Sequence, residues 1–135
     1  PQRYSRALLE TLPLIAYRGY DRILADDLGA LLADQAAIVL VAESDSTPVG
    51  YITGRVLVEA RRVLPKRGVV EDWYVEERLR GTGVGAQLLT ELESRFAARS
   101  CQVVESATWS GNESGRRAHD ALGFREIRVL YRKRL

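Results

Sequence analysis

The sequence predicts a mixed α/β fold in which helices cover both faces of one sheet. Apolar residues recur at helical spacing in some segments and form short β-branched runs in others. These segments follow one another as two helices, three strands, a helix, a strand, a helix and a strand. At 135 residues the chain suits one domain with one core, spanning residues 1–135.

Residues 5–18 show helical spacing at Leu8, Leu9 and Leu12, with Ser5 placed to cap and Pro13 to end or kink the helix. Residues 21–35 repeat the pattern, with Ile23, Leu24, Leu28, Leu31 and Leu32 in one stripe and Asp21 as the cap. Residues 37–44, AIVLVAES, read as a buried strand. The turn DSTP leads to a second strand over 49–60, where Gly50 and Gly54 mark bulges. A basic loop precedes a third strand over 69–77. Residues 84–100 hold the strongest helical pattern: Val84, Leu88, Leu92 and Phe96 recur every four residues, and Leu89 widens the stripe. A fourth strand is expected over 102–110. A short helix then ends at Gly123, its C′ glycine, before a final strand over 124–135.

Composition narrows the function. No apolar run approaches the ~20 residues that span a bilayer, and no segment has the make-up of a signal peptide, so no membrane partner is expected. A single cysteine, Cys101, excludes an internal disulfide and suits a reducing cytoplasm. One histidine and one cysteine do not make a structural zinc site, and no metal is expected. The net charge is only +2, with no concentrated basic patch beyond the tail YRKRL, which argues against nucleic acid as a partner. The chain contains no methionine. Pro1 is therefore not expected to be a native start, and the chain reads as processed, trimmed or cut from a longer one.

The stretch RLRGTGVGAQLL, residues 78–89, puts three glycines immediately before and into the strongest helix. A helix N-terminus offers N–H groups without intrahelical partners and the positive end of the macrodipole, which together attract phosphate. Gly81, Gly83 and Gly85 keep side chains away from those amides. Arg80 adds a guanidinium and Thr82 a hydroxyl. The same glycines also suit a plain helix-entry turn. There is no GK[ST] ending, so a Walker-type loop is excluded. Gly81, Gly83 and Ala86 satisfy G-x-G-x-x-A, but the charged stretch EERLR separates them from the strand, where a dinucleotide fold needs a tight turn.

The chain resembles the GCN5-related N-acetyltransferase (GNAT) superfamily. The phosphate motif of that family, R/Q-x-x-G-x-G/A, is matched by Arg80, Gly83 and Gly85, after a strand VVEDWYVEERLR like the family's fourth. A second motif, N-x-x-A-x-x-x-Y-x-x-x-G-F, is matched in spacing by Asn112, Gly115, His119, Gly123 and Phe124. The resemblance runs from about Ala37 to the C-terminus and extends weakly to small-molecule members such as the aminoglycoside 6′-acetyltransferases. It implies a mixed, mostly antiparallel sheet whose N-terminal strand is missing here. It also implies acetyl-CoA as co-substrate. The amides of Gly81, Thr82, Gly83, Val84, Gly85 and Ala86 would hold its pyrophosphate. The backbone of Trp73, Tyr74 and Val75 would pair with pantetheine, and Asn112 would reach the same arm.

The implied reaction is direct transfer of acetyl to a primary amine, foremost that of a small molecule. A protein or peptide amine and a non-catalytic acyl-CoA-binding module are the alternatives. Because an alkylamine is mostly protonated at neutral pH, a base must take its proton. Glu71 is the first candidate, since strand alternation puts it on the face of Trp73 and Val75; Asp72 faces the other way and ranks second. A main-chain N–H near Val75 would stabilise the oxyanion. His119 stands where most of the family has the tyrosine that protonates the departing thiolate, and its N–H could serve that end. The final strand, with no room for the family's terminal hairpin, would be available to pair in a homodimer. Cys101, Trp73 and Trp109 otherwise read as packing residues.

Overall fold

The computed structural model describes residues 3–4 and 35–135. Five strands form one sheet in the order β1 (Arg3–Tyr4), β2 (Ala37–Ser44), β3 (Thr47–Val58), β4 (Lys66–Val75) and β5 (Val103–Glu105). The first four are antiparallel to their neighbours, and β5 joins β4 in parallel. Two helices follow the third long strand: α1 (Val84–Ala98) and α2 (Glu113–Ala121). The helices expected over 5–18 and 21–35 lie outside the described residues, apart from Gln35, which sits in a turn.

Local chemistry accounts for most of these elements. Asp45 and Ser46 both have positive φ (50° and 65°), the geometry of a two-residue type I′ hairpin turn between β2 and β3. Both expected bulges are present. One lies between Ala42 and Glu43, opposite Pro48 to Gly50, and lets a proline enter the strand; the other lies between Thr53 and Gly54. Helix α1 ends in a Schellman motif, with Ser100 N–H on Ala97 O (2.9 Å) and Cys101 N–H on Phe96 O (3.0 Å). Helix α2 ends in the same way. Gly123 has φ 90°, its N–H reaches Asp120 O (3.2 Å), and Phe124 N–H reaches His119 O (3.0 Å). Gly123 is the C′ residue, as its position in the sequence predicts.

Three expectations are corrected. An opening strand, unreadable in the sequence, exists as the two residues of β1 paired with Ala42 and Glu43; two residues are too few to show alternation. The strand expected over 102–110 shrinks to three residues, because the chain leaves the sheet at Ser106. The final strand over 124–135 does not form, and Ile127, Val129, Leu130 and Tyr131 stay exposed. Alternating residues make a strand only against a partner edge.

The core lies between the sheet and α1. Val84, Leu88, Leu89, Leu92 and Phe96, the stripe read from the sequence, are all buried. They pack on Ile38, Leu40, Ala42, Ile52 and Val70. The opposite sheet face buries Val39, Val41, Tyr51 and Thr53, which explains why β2 reads as a continuous apolar run. Arg67, on β4, donates to both Glu59 and Glu105 and so ties the β3–β4 loop to β5. The Arg67 hydrogen bond holds the Glu59 carboxyl below the usual carboxylate range.

Glycines set how closely α1 approaches. A Cβ on Gly68 would meet the Phe96 ring at 2.4 Å, and one on Gly54 would meet it at 2.5 Å. The ring occupies the space those side chains would fill. Gly68→Ala is therefore expected to lower stability by about 1–3 kcal/mol through overpacking, seen as a lower urea midpoint. Phe96→Leu should cost less in the Gly68→Ala background than in the wild type, because the smaller side chain relieves the clash.

Candidate active site

β4 and β5 part early. They pair only at residues 67–69 and 103–105. Beyond Val69, β4 keeps β3 on one side, and no strand among the described residues borders its other edge. Backbone groups point to alternate edges along a strand. Glu76 N–H donates to Val49 O on β3 (2.8 Å), so the main chain of Trp73 and Val75 turns to the open edge, whereas that of Tyr74 turns to β3. The Val75 carbonyl accepts from Arg80 Nε at 3.0 Å.

The glycine stretch closes the end of this edge. A short 3₁₀ turn, Glu77–Leu79, leads into it. Gly81 and Gly83 have φ of 80° and 98°, and a Cβ at either would meet nothing within 4 Å. Their necessity is thus conformational. Gly83 is the N-cap of α1, and the first intrahelical bond runs from Gln87 N–H to Gly83 O (3.0 Å). The amides of Val84, Gly85 and Ala86 precede that bond. A Cβ on Gly85 would lie 3.4 Å from Trp73 Nε1 and 3.5 Å from Val75 Cγ2, so the glycine leaves a gap between helix start and open edge. Arg80 lies over the Tyr74 ring, 5.8 Å from its centroid. The Thr82 hydroxyl donates to Leu79 O, so it braces the turn and does not offer its proton outward.

The bulge moves Glu71. Thr53 pairs with Asp72 and Gly54 with Val70, leaving Glu71 as the extra residue of β4. Strict alternation would have set Glu71 beside Trp73 and Val75. Instead its carboxylate accepts from Arg55 Nε at 2.7 Å, on the sheet face away from α1. Asp72 shares that face, with its N–H on Thr53 Oγ1 (3.0 Å). The two carboxylates thus sit side by side, contrary to the opposed placement read from the sequence. Glu71 and Arg55 are 33% and 30% exposed, so the pair remains reachable by solute.

His119 is brought to the other flank of β4. Its ring lies edge-on to Trp73 (centroids 6.0 Å, 78°) and 5.1 Å from Phe124. Nδ1 is 2.7 Å from Gly115 O, and Nε2 is 2.8 Å from Ser106 Oγ. Asn112 caps α2: its Oδ1 accepts from Gly115 N–H (3.0 Å) and Ser114 Oγ (3.1 Å), while Nδ2 donates to Thr108 Oγ1 (3.1 Å). A Cβ on Gly115 would strike Asn112 Nδ2 at 2.5 Å, which explains a glycine at that helical position. Arg55, Ser106 and Thr108 are site residues that no sequence pattern singles out. Each is identified only by a partner distant in sequence or across a turn. Burial pushes the Cys101 thiol above its usual range, which keeps it protonated and unreactive at neutral pH.

Residues 5–124 match the model of the Acetyltransferase (GNAT) family. The chain belongs to this family. It is 31% identical over 111 residues to an Aminoglycoside N(6')-acetyltransferase type 1 of Stenotrophomonas maltophilia, covering 78% of this chain and 72% of the relative. A protein of the same name from Klebsiella aerogenes is 28% identical over 105 residues, covering 77% and 69%. Among solved structures, the aminoglycoside 6'-N-acetyltransferase AAC(6')-IG from Acinetobacter haemolyticus shares the fold, with TM-score 0.82 and 22% identity over 100% of this chain and 98% of that one. AAC(6')-Iy, solved with the bisubstrate analog CoA-S-monomethyl-acetylneamine, has TM-score 0.77 and 22% identity over 100% and 98%.

This GNAT is an N-acetyltransferase that takes acetyl from acetyl-CoA and gives it to an amine. Its residues fit that co-substrate on two observations. The turn into the helix start has open space at Gly81 and Gly83, and the open edge of β4 directs backbone groups of Trp73 and Val75 outward. Among the described residues, no group of three or more His, Cys, Asp or Glu is placed to hold a metal, and no helix is long and apolar enough to cross a membrane. Because Asn112 is engaged as a cap, Asn112→Ala is expected to cost about 0.5–2 kcal/mol in denaturant unfolding; loss of cofactor affinity without loss of stability would instead make it a direct ligand.

Proposed function

We propose that this GNAT acetylates a primary amine of a small aminoglycoside-type molecule, by direct attack with both substrates bound. The open edge of β4, running into the bare start of α1, is the observation that carries the reading. The names of the curated relatives support the substrate class. Acetyl-CoA, when bound, supplies the acetyl group as a thioester.

The chain's own groups divide the remaining work. The amides from Gly81 through Thr82, Gly83, Val84 and Gly85 to Ala86 hold the pyrophosphate, and Arg80 adds positive charge beside them. Backbone groups of Trp73 and Val75 pair with the pantetheine arm as a further strand would, with Tyr74 between them and Asn112 holding the facing helix. The Val75 N–H, on the open edge, would be the donor for the thioester carbonyl oxygen, where negative charge develops. On the other side of β4, Glu71 receives the ammonium and takes its proton, with Arg55 fixing the carboxylate and Asp72 adding negative charge. Cationic amino-sugars suit this acidic pair. The cytoplasm is the compartment in which such an enzyme meets acetyl-CoA.

Calorimetry should detect acetyl-CoA binding to the wild type, and no binding at millimolar cofactor would refute the assignment. Gly83→Ala should weaken it roughly 5- to 30-fold, because a left-handed alanine costs about 1–2 kcal/mol and relaxes away from the binding geometry. In an amine panel read by thiol release, aminoglycosides should exceed peptide amines; the reverse order favours a protein substrate. Glu71→Gln should lower kcat/KM by about tenfold or more, and a loss below about fivefold would exclude Glu71 as the base.

A further inference from the structure

His119 is held at both ring nitrogens, and the nature of its partners decides its tautomer. Gly115 O, at 2.7 Å, can only accept, so Nδ1 carries the proton of the neutral ring. Nε2 is then an acceptor, and the Ser106 hydroxyl, at 2.8 Å, donates to it. The neutral ring therefore has no N–H left to give to a departing group. The hydroxyl beside it does carry a proton. Ser106 is the first residue beyond β5, at the point where the chain has left β4. The ring it bonds is edge-on to Trp73, whose main chain faces the open edge. A hydroxyl hydrogen-bonded to an imidazole that a third group orients is the arrangement by which proteins move protons.

We propose that Ser106 and His119 form a two-way proton relay for acetyl transfer, with Ser106 as the group that meets the reacting atoms. The proposal rests on the acetyl-transfer reading above. As the amine nitrogen bonds to the acetyl carbon, Ser106 Oγ takes a proton released from that nitrogen and hands its own to Nε2. The imidazole becomes a cation, with Gly115 O holding Nδ1–H. When the carbon–sulfur bond breaks, Nε2–H returns its proton to Ser106 Oγ, and the serine proton passes to sulfur. The net change is one proton moved from nitrogen to sulfur, with serine and histidine restored. Glu71, on the other face, serves the initial deprotonation of the ammonium. A tyrosine at position 119 would place a hydroxyl there directly; histidine needs the serine to complete it.

The test begins without turnover. His119 is the chain's single histidine, so the imidazole ¹⁵N spectrum of the labelled protein is its own. In the neutral form, the wild type should show the Nδ1–H tautomer with Nε2 hydrogen-bonded. Ser106→Ala should move the Nε2 resonance, and Ser106→Thr should restore it. An Nε2–H tautomer, or no response to Ser106→Ala, overturns the proposal. In thiol-release assays, Ser106→Ala should lower kcat about 10- to 100-fold with KM for acetyl-CoA within about twofold, and Ser106→Thr should recover most of the loss. Because the pair acts as a unit, Ser106→Ala with His119→Phe should lose little more than His119→Phe alone; additive losses overturn the relay. Wild-type release with an unaffected Ser106→Ala overturns the relay alone. No wild-type release with any amine overturns the reading beneath it, and the relay with it.

Discussion

The Phe96 ring lies in a notch that Gly54 and Gly68 leave in the sheet, and the position of helix α1 follows from that contact. The ring is fully buried and sits in the last turn of the helix. It therefore anchors the end of α1 farthest from the glycine turn, while Leu88, Leu89 and Leu92 bury the middle against the same face. The apolar stripe then terminates at Val84, immediately after the N-cap. The first turn buries only Val84, and Gly85 and Ala86 beside it carry little or no side chain. Gly81 and Gly83 let the chain enter at positive φ, and Gly85 leaves room against Trp73 and Val75. Most of the packing and the backbone freedom of the glycines thus fall at different ends of one helix.

The second constraint is the bulge in β4. Val70 and Trp73 both face α1 although they stand three positions apart, which strict alternation forbids. The extra residue is Glu71. The bulge turns this carboxylate to the far face, next to Asp72 and onto Arg55. Meanwhile β5 leaves β4 after three residue pairs, which opens the edge at Trp73 and Val75. The edge is therefore flanked by acidic groups on one face and by an imidazole on the other.

Helix α2 holds that second flank in place through its ends. Asn112 caps its start and ties it to Thr108, while Gly123 closes its other end and turns Phe124 back onto His119. The ring is then set by Gly115 in its own helix and by Ser106 from beyond β5. Short helices are marginal alone, so both caps contribute directly to the geometry at His119.

Elements governed by near neighbours are legible in the sequence. The stripe of α1, the C′ role of Gly123, the strand over Ala37–Ser44 and the bulges near Gly50 and Gly54 all follow from local spacing or from backbone freedom. So does the placing of glycines at Gly81 and Gly83, where the turn has positive φ, and the two motifs carry the family. What only the tertiary structure decided was partnership. The face of Glu71 depends on a register shift against β3. The role of Thr82 is settled by where its hydroxyl finds an acceptor, and Ser106 matters only because α2 brings His119 to it. Residues 124–135 alternate like a strand yet form none, because alternation sets which face is apolar and does not supply a partner edge. By itself the sequence determined the pattern of burial and backbone freedom along the chain, which are properties of neighbouring residues. Which side chains meet across the site was decided by strand register and helix docking, which no single segment contains.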